Sequence, residues 1–164
     1  MKQEDFFTSS VNRGILVEYV EGLFKKMINL PTEIRPDDKE RTGVQMFVRK
    51  IGTRSMIFES IYQPSENAHF FAAEKAVRSA VLGHATSQNS QNPGEMEFAG
   101  SITVLGYQFS ISGLKADEDV FISIAGMAKF LDVSMQFVII NIQQNGGMLP
   151  ECVFDQNAYH WQIL

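Results

Sequence analysis

Two short runs of alternating residues, separated by little more than a turn, constrain this chain more than any other feature. Val44, Met46 and Val48 alternate with Gln45, Phe47 and Arg49, and Met56, Phe58 and Ser60 alternate with Ile57, Glu59 and Ile61. Period-two alternation is the pattern of a strand that turns one face to a core. The stretch from Lys50 to Ser55, with Gly52 inside it, can reverse the chain but cannot hold a crossover helix. The strands must therefore pair antiparallel, as a hairpin.

The flanking segments are helical in period. Ile15, Leu16, Tyr19, Val20, Leu23, Phe24 and Met27 recur at three and four, which predicts a helix over 12–28, with Glu21 and Lys25 as an i,i+4 pair. Residues 29–42, with Pro31, Pro36 and a mixed charge run, read as a solvated loop. A second helix starts after Pro64, with Ser65 as N-cap, and stops at Gly83. Its closely spaced alanines suit tight packing on a sheet or a helix. Residues 84–95 are polar throughout and read as a mobile linker with no packed core of its own. Two further strands, 101–105 and 107–112, meet at Gly106, and a third helix opens on Asp117, Glu118 and Asp119, where acids complement the helix dipole. The β-branched segment Met135 to Ile142 reads as a buried fifth strand, with continuation of the third helix as the competing reading. The fold class expected is α/β (α+β): one domain over 1–164, an antiparallel sheet of about five strands with helices packed on it, and a C-terminal extension over 132–164.

Charge and cysteine content narrow the function classes. The formal net charge is -5, and residues 59–164 carry four Lys or Arg against eleven Asp or Glu, which disfavours nucleic acid as a partner. No run of 18 apolar residues is present, so no membrane span is expected. Cys152 is the only cysteine, which excludes an internal disulfide and agrees with a reducing, cytoplasmic setting.

Motifs for catalysis are missing: there is no P-loop, no dinucleotide fingerprint after a strand, no HExxH and no CxxC. No catalytic residue is expected. His69, His84 and His160 show no metal-ligand spacing, and His69 and His84 would lie roughly 22 Å apart along one helix. Lys75 and Arg78 are the only basic residues between Arg54 and Lys115. They can meet a small anionic ligand, or pair with Glu74, Glu66 or Asp117. Asp117, Glu118 and Asp119 are sequential, so they splay around a helix start and serve capping and solubility.

The helix segment EKAVRSAVLG at 74–83 resembles the AxxKAxTA helix of the haem-degrading, GlcG/HbpS-like family, and VLGYQFSISGLKADEDVFISIAGMAKFL at 104–131 resembles that family's strand, acidic stretch and closing helix. The resemblance covers about 43–131. It implies a profilin-like α/β/α arrangement, assembly into homo-oligomers, and in some members haem binding. The family's haem-site threonine corresponds to Ser79, which keeps the hydroxyl and lacks the methyl. The aspartate of the family's first hairpin is absent, and Lys50 stands near its place. For haem binding, His69, His84 and Met residues are the candidate axial ligands, with Lys75 or Arg78 on the propionates.

Three functions follow as expectations. The first is a non-catalytic small-ligand-binding or assembly domain that forms a homo-oligomer. The second is a haem or tetrapyrrole-binding protein, and the third an enzyme whose active site is built across a subunit interface. The oligomer interface is expected on the MQFVIINI segment or on the tail, through Phe154, Tyr159 and Trp161; the competing reading folds that tail back onto its own domain.

Overall fold

The computed structural model describes residues 3–164. Its helices are α1 (Glu4–Thr8), α2 (Ser10–Ile28), α3 (Glu66–Val81), α4 (Ala116–Leu131) and α5 (Met135–Gln144), and its strands are β1 (Gly43–Lys50), β2 (Met56–Tyr62), β3 (Ser101–Val104) and β4 (Tyr107–Ser112). The strands form a single four-stranded antiparallel sheet in the order β2-β1-β4-β3. Val48 pairs with Ile57 on one side and Phe109 on the other, and Phe47 lies between Phe58 and Ser110.

Alternation along these strands makes two unlike faces. One carries Val44, Met46, Val48, Ile57, Ile102, Val104, Phe109 and Ile111, all buried in the main core with α2, α4 and α5. The other carries Gln45, Phe47, Ser101, Gln108, Ser110 and Ser112, also buried, under α3. The molecule is thus layered helix–sheet–helix, with an apolar interior on one side and a mostly polar one on the other, where Gln45 and Gln108 are hydrogen-bonded and the Ser101 and Ser110 hydroxyls have no partner. The alanines of α3 allow this: Ala68, Ala72 and Ala76 are buried at the contact with the sheet. Gln108 Nε2 there donates to the Ala76 carbonyl and to Ser79 Oγ, at 2.9 and 3.2 Å.

The core helix is α4, buried around almost its whole circumference. Burying residues such as Phe121 and Phe130 completely contributes about 1.5–3 kcal/mol each.

Four expectations change. The predicted fifth strand is α5. Val138, Ile139 and Ile142 are buried while Phe137 and Ile140 are exposed, a helical spacing, and Ser134 Oγ caps the start by accepting from Phe137 N. Asp132, left-handed at φ 57°, ends α4 first, so α5 is a new helix and not an extension. The polar segment 84–95 is packed over its first half: Thr86 and Ser87 are buried, Thr86 Oγ1 donates to the Met148 carbonyl at 2.6 Å, and Ser87 Oγ accepts from Ser101 N at 3.0 Å, while 91–95 is exposed. Ser65 stands at the N-cap of α3, but its side chain makes no capping bond. The tail folds onto its own domain. Val153, His160 and Ile163 are buried, Trp161 packs edge-on against Phe121 at 5.1 Å, and of the three expected interface aromatics only Phe154 is strongly exposed.

No single helix among the described residues is long and apolar enough to cross a membrane. The apolar pair α4 and α5 is bent by 109°.

Candidate ligand-binding site

The turn from β4 into α4 gathers the charged side chains of four distant segments. Asp117, Glu118 and Asp119 open α4, and each finds a different base. Lys75, from α3, is 1% exposed; its ammonium donates to Asp119 Oδ2 at 2.9 Å and to the Ile111 carbonyl at 3.0 Å. The other Asp119 oxygen accepts from Leu114 N. Glu118, 0% exposed, is gripped by Arg35 through Nε and Nη2 at 2.6 and 2.8 Å and accepts from Tyr159 Oη and Lys115 N. Asp117 meets His160 Nε2 at 2.9 Å. Arg35 and Arg41 also share Asp37.

These surroundings set the acidities. Burial pushes the Asp119 carboxyl up, against the Lys75 charge and the Lys75 and Leu114 hydrogen bonds, which pull it down. At Asp37 burial also pushes up, but hydrogen bonds from Arg41 and Lys39 N and the charges of Arg41 and Arg35 prevail and hold it at about 2. Asp117 likewise lies below its ordinary value, burial being outweighed by the His160 bond and charge and by backbone N–H groups. Burial, the bond to Glu118 and the nearby carboxylates raise the Tyr159 phenol. Burial first, and then the charges of Asp117 and Glu118, push the Cys152 thiol up to about 12. A thiol so protonated is a poor nucleophile.

A cleft of about 630 Å³ opens over the Lys75–Asp119 pair. Its walls are the first half of α3, the segment 39–43, the loop carrying Pro93 and Phe98, and the turn 112–116. Phe71 and Phe98, 5.3 Å apart edge to face, supply apolar wall. Lys39, Arg41 and Lys115 line it against the single rim acid Glu40, while Lys75 and Asp119 neutralise one another. Gly100 brings the chain past this floor at φ 139°, and a Cβ there would stand 2.6 Å from the Lys75 ammonium. The shape has convergent polar groups on an apolar wall, which is the make-up of a small-molecule site.

The residues expected to bind ligand are dispersed. Lys75 is the floor of this cleft. Arg78 is committed elsewhere: it pairs with Glu74 and donates to the carbonyls of Ser87, Ser90 and Phe98. His69 is exposed on α3, 6.4 Å from the Phe58 ring. Ser79 and His84 come together in a second cleft of about 440 Å³ at the end of α3, where Gly83, at φ 69°, ends the helix. There Ser79 is buried, and the buried His84 Nδ1 has no hydrogen-bond partner.

Sequence reasoning missed Arg35, Asp37, Arg41, Tyr159 and His160. The charge run 35–41 reads as solvated, yet the Arg35 and Asp37 side chains are each 5% exposed. The three acids of α4 read as capping and solubility; Glu118 does cap the helix start by accepting from Lys115 N, but Glu118 and Asp119 are buried in ion pairs and not solvated. The only local signal is the alternation of sign in RPDDKER, which does not name a distant partner.

Along the outer face of α3 lies a further groove, of about 670 Å³, lined by Phe70, Ala73, Val77, Val81 and Leu82. Phe70 and Val81 are 65% and 78% exposed, so α3 is apolar on the side away from the sheet as well. Comparison with family models, curated proteins and solved structures finds no match to this chain.

Proposed function

We propose that this protein is a non-catalytic domain that binds a small anionic ligand in the cleft above Lys75 and Asp119 and self-associates into a homo-oligomer. The observation that carries the reading is the charge balance of the cleft. In a chain of net charge -5, its rim presents Lys39, Arg41 and Lys115 against Glu40, beside an aromatic wall. The buried pair beneath is a rigid, neutral floor, so the rim cations set the selectivity. Small carboxylates and phosphates match that chemistry, because Lys39 and Lys115 offer ammonium donors at the rim while Arg41, held by Asp37 and the Gly113 carbonyl, adds positive charge.

Isothermal titration calorimetry with a panel of mono- and dicarboxylates and phosphate esters tests this. Saturable binding that weakens at least about tenfold in the double charge reversal Lys39→Glu/Lys115→Glu supports it. Binding indifferent to that change, or no binding across the panel, refutes it.

Self-association through the outer face of α3 is supported by the exposed stripe Phe70, Val77 and Val81, which exceeds what a solvated helix normally shows. Sedimentation of the wild type and of Val77→Glu/Val81→Glu checks it; a monomeric wild type excludes it.

The second reading is haem binding, in line with the GlcG/HbpS-like resemblance and its profilin-like α/β/α fold. It is supported by Ser79 and His84 lining one cleft, with a histidine nitrogen left free. Hemin titration followed at the Soret band separates the two: the band shifts saturably and requires His84 under this reading, and stays unchanged under the first. An enzyme with a composite site would need polar groups from a second copy facing the cleft, which a structure of the assembled form would show. A cytoplasmic setting accompanies the first reading and is checked by fractionation.

A further inference from the structure

The start of α4 and the tail hold a constellation that the ligand cleft does not use. Asp117, Cys152 and His160 each present one ligand atom, and these atoms lie within 4.8 Å of one another. Four-coordinate zinc, with bonds of 2.0–2.3 Å, needs ligand atoms roughly 3.3–3.8 Å apart, so small side-chain movements bring this set to that geometry.

The histidine is preorganised. It is 3% exposed, stacked on Tyr159 at 4.1 Å between ring centroids, and close to Phe121 at 5.6 Å. Nε2 is held by Asp117, while Nδ1 is buried without any hydrogen-bond partner.

We propose that Asp117, Cys152 and His160 form a zinc site that fastens the tail to the first turn of α4. Carboxylate oxygen, thiolate sulfur and imidazole nitrogen are together the donor set of zinc, whereas magnesium and calcium take oxygen alone. Cys152 enters as the thiolate, its proton passing to solvent, and the metal replaces the direct Asp117–His160 contact. Three protein ligands leave a fourth position open to solvent, as Asp117 and Cys152 are only partly buried.

The site is independent of the anion cleft, and its test uses the full chain and the metal alone. Chelator-stripped protein is dialysed against Zn²⁺, and bound metal is counted per chain. Co²⁺ is titrated in parallel and followed by its thiolate charge-transfer absorption. Cys152 is the sole cysteine, so that band, if it forms, identifies its own ligand without a variant. The expected result is a single saturable site, with a dissociation constant on the order of 1 μM or tighter. The cobalt band should vanish in Cys152→Ser, and affinity should fall at least about tenfold in His160→Gln, while His69→Gln leaves both unchanged. No saturable binding, a wild-type cobalt spectrum without the thiolate band, or zinc binding that persists undiminished in Cys152→Ser overturns the proposal.

Discussion

Replacing Lys75 by Met tests the buried pair on which α3, β4 and α4 converge. Methionine keeps most of the volume and removes the charge, so the Ile111 carbonyl and Asp119 Oδ2 lose their donor together. Breaking a buried pair from one side costs about 3–5 kcal/mol. A second route gives an independent bound. Without the ammonium, Asp119 escapes its buried charge by taking a proton, and holding a carboxyl of ordinary pKa near 3.9 neutral at pH 7 costs about 4 kcal/mol. The two agree, and with a urea slope of about 2 kcal/mol/M the unfolding midpoint should fall by about 1.5–2.5 M.

The second route also fixes a pH signature. In the variant the folded state binds a proton that the unfolded state releases. Stability therefore rises as pH falls, by up to about 1.4 kcal/mol per unit between pH 7 and about 4, relative to wild type. Urea unfolding of wild type, Lys75→Met and Lys75→Met/Asp119→Asn at pH 7, 6 and 5 reads all of this. The double variant should lose the pH dependence and recover part of the stability. A single variant within about 1 kcal/mol of wild type at pH 7, or a loss of the same size at every pH, would show that the pair is not buried and charged as argued.

Other perturbations follow from the same geometry. Asp37, held at about 2, contributes stability that is complete above its ordinary value near 4 and is lost as pH falls toward 2; Asp37→Asn should remove about 1–2 kcal/mol at pH 7 and flatten acid unfolding over that window. Gly126→Ala should destabilise by about 1–3 kcal/mol, because the new methyl meets the Phe109 ring, and this outweighs a gain of about 1 kcal/mol in helix propensity. Thermal unfolding of Gly126→Ala and Gly126→Ala/Phe109→Leu checks it, with partial rescue expected in the pair. Truncation after Gly147 strips Trp161 and Ile163 from the core and His160 and Tyr159 from the α4 acids. The loss of roughly 5 kcal/mol or more approaches the whole stability of a domain, so near-ultraviolet circular dichroism and cooperative unfolding should both disappear. A truncated chain that unfolds cooperatively would show the tail to be an appendage.

The hairpin, α2, α3 and the β3–β4 pair were legible because each is decided by local pattern. Glu21 and Lys25 form the expected i,i+4 pair at 2.6 Å, and the alanines of α3 meet the sheet as their size allows. The segment MQFVIINI misled because β-branched propensity was weighed over spacing: Ser134 at the cap and the pattern of Val138, Ile139 and Ile142 were both present in the sequence. The segment 84–95 misled for another reason. In 86–90 the hydroxyls and the Asn89 amide bond one another and nearby carbonyls, so polarity there marks a hydrogen-bonded layer, while 91–95 is solvated as its composition suggests. The candidate sites were least legible. Of the expected residues only Lys75 reaches the main cleft, and the partners of Asp117, Glu118 and Asp119 lie 43, 83 and 44 residues away along the chain. No local periodicity encodes contacts of that range.

Those separations bear on how the chain acquires its structure. Loop closure over such distances must be paid before the charges compensate one another, so the pairs close late in folding. During synthesis the first turn of α4 emerges with three adjacent carboxylates and without His160 and Tyr159, which are still to come. Arg35 and Lys75 precede α4 and are available to Glu118 and Asp119 as that turn emerges, whereas Asp117 stays hydrated until His160 follows. Of the three pairings, the one to His160 is the last that synthesis makes available, so the tail joins a turn whose other two acids can already be compensated.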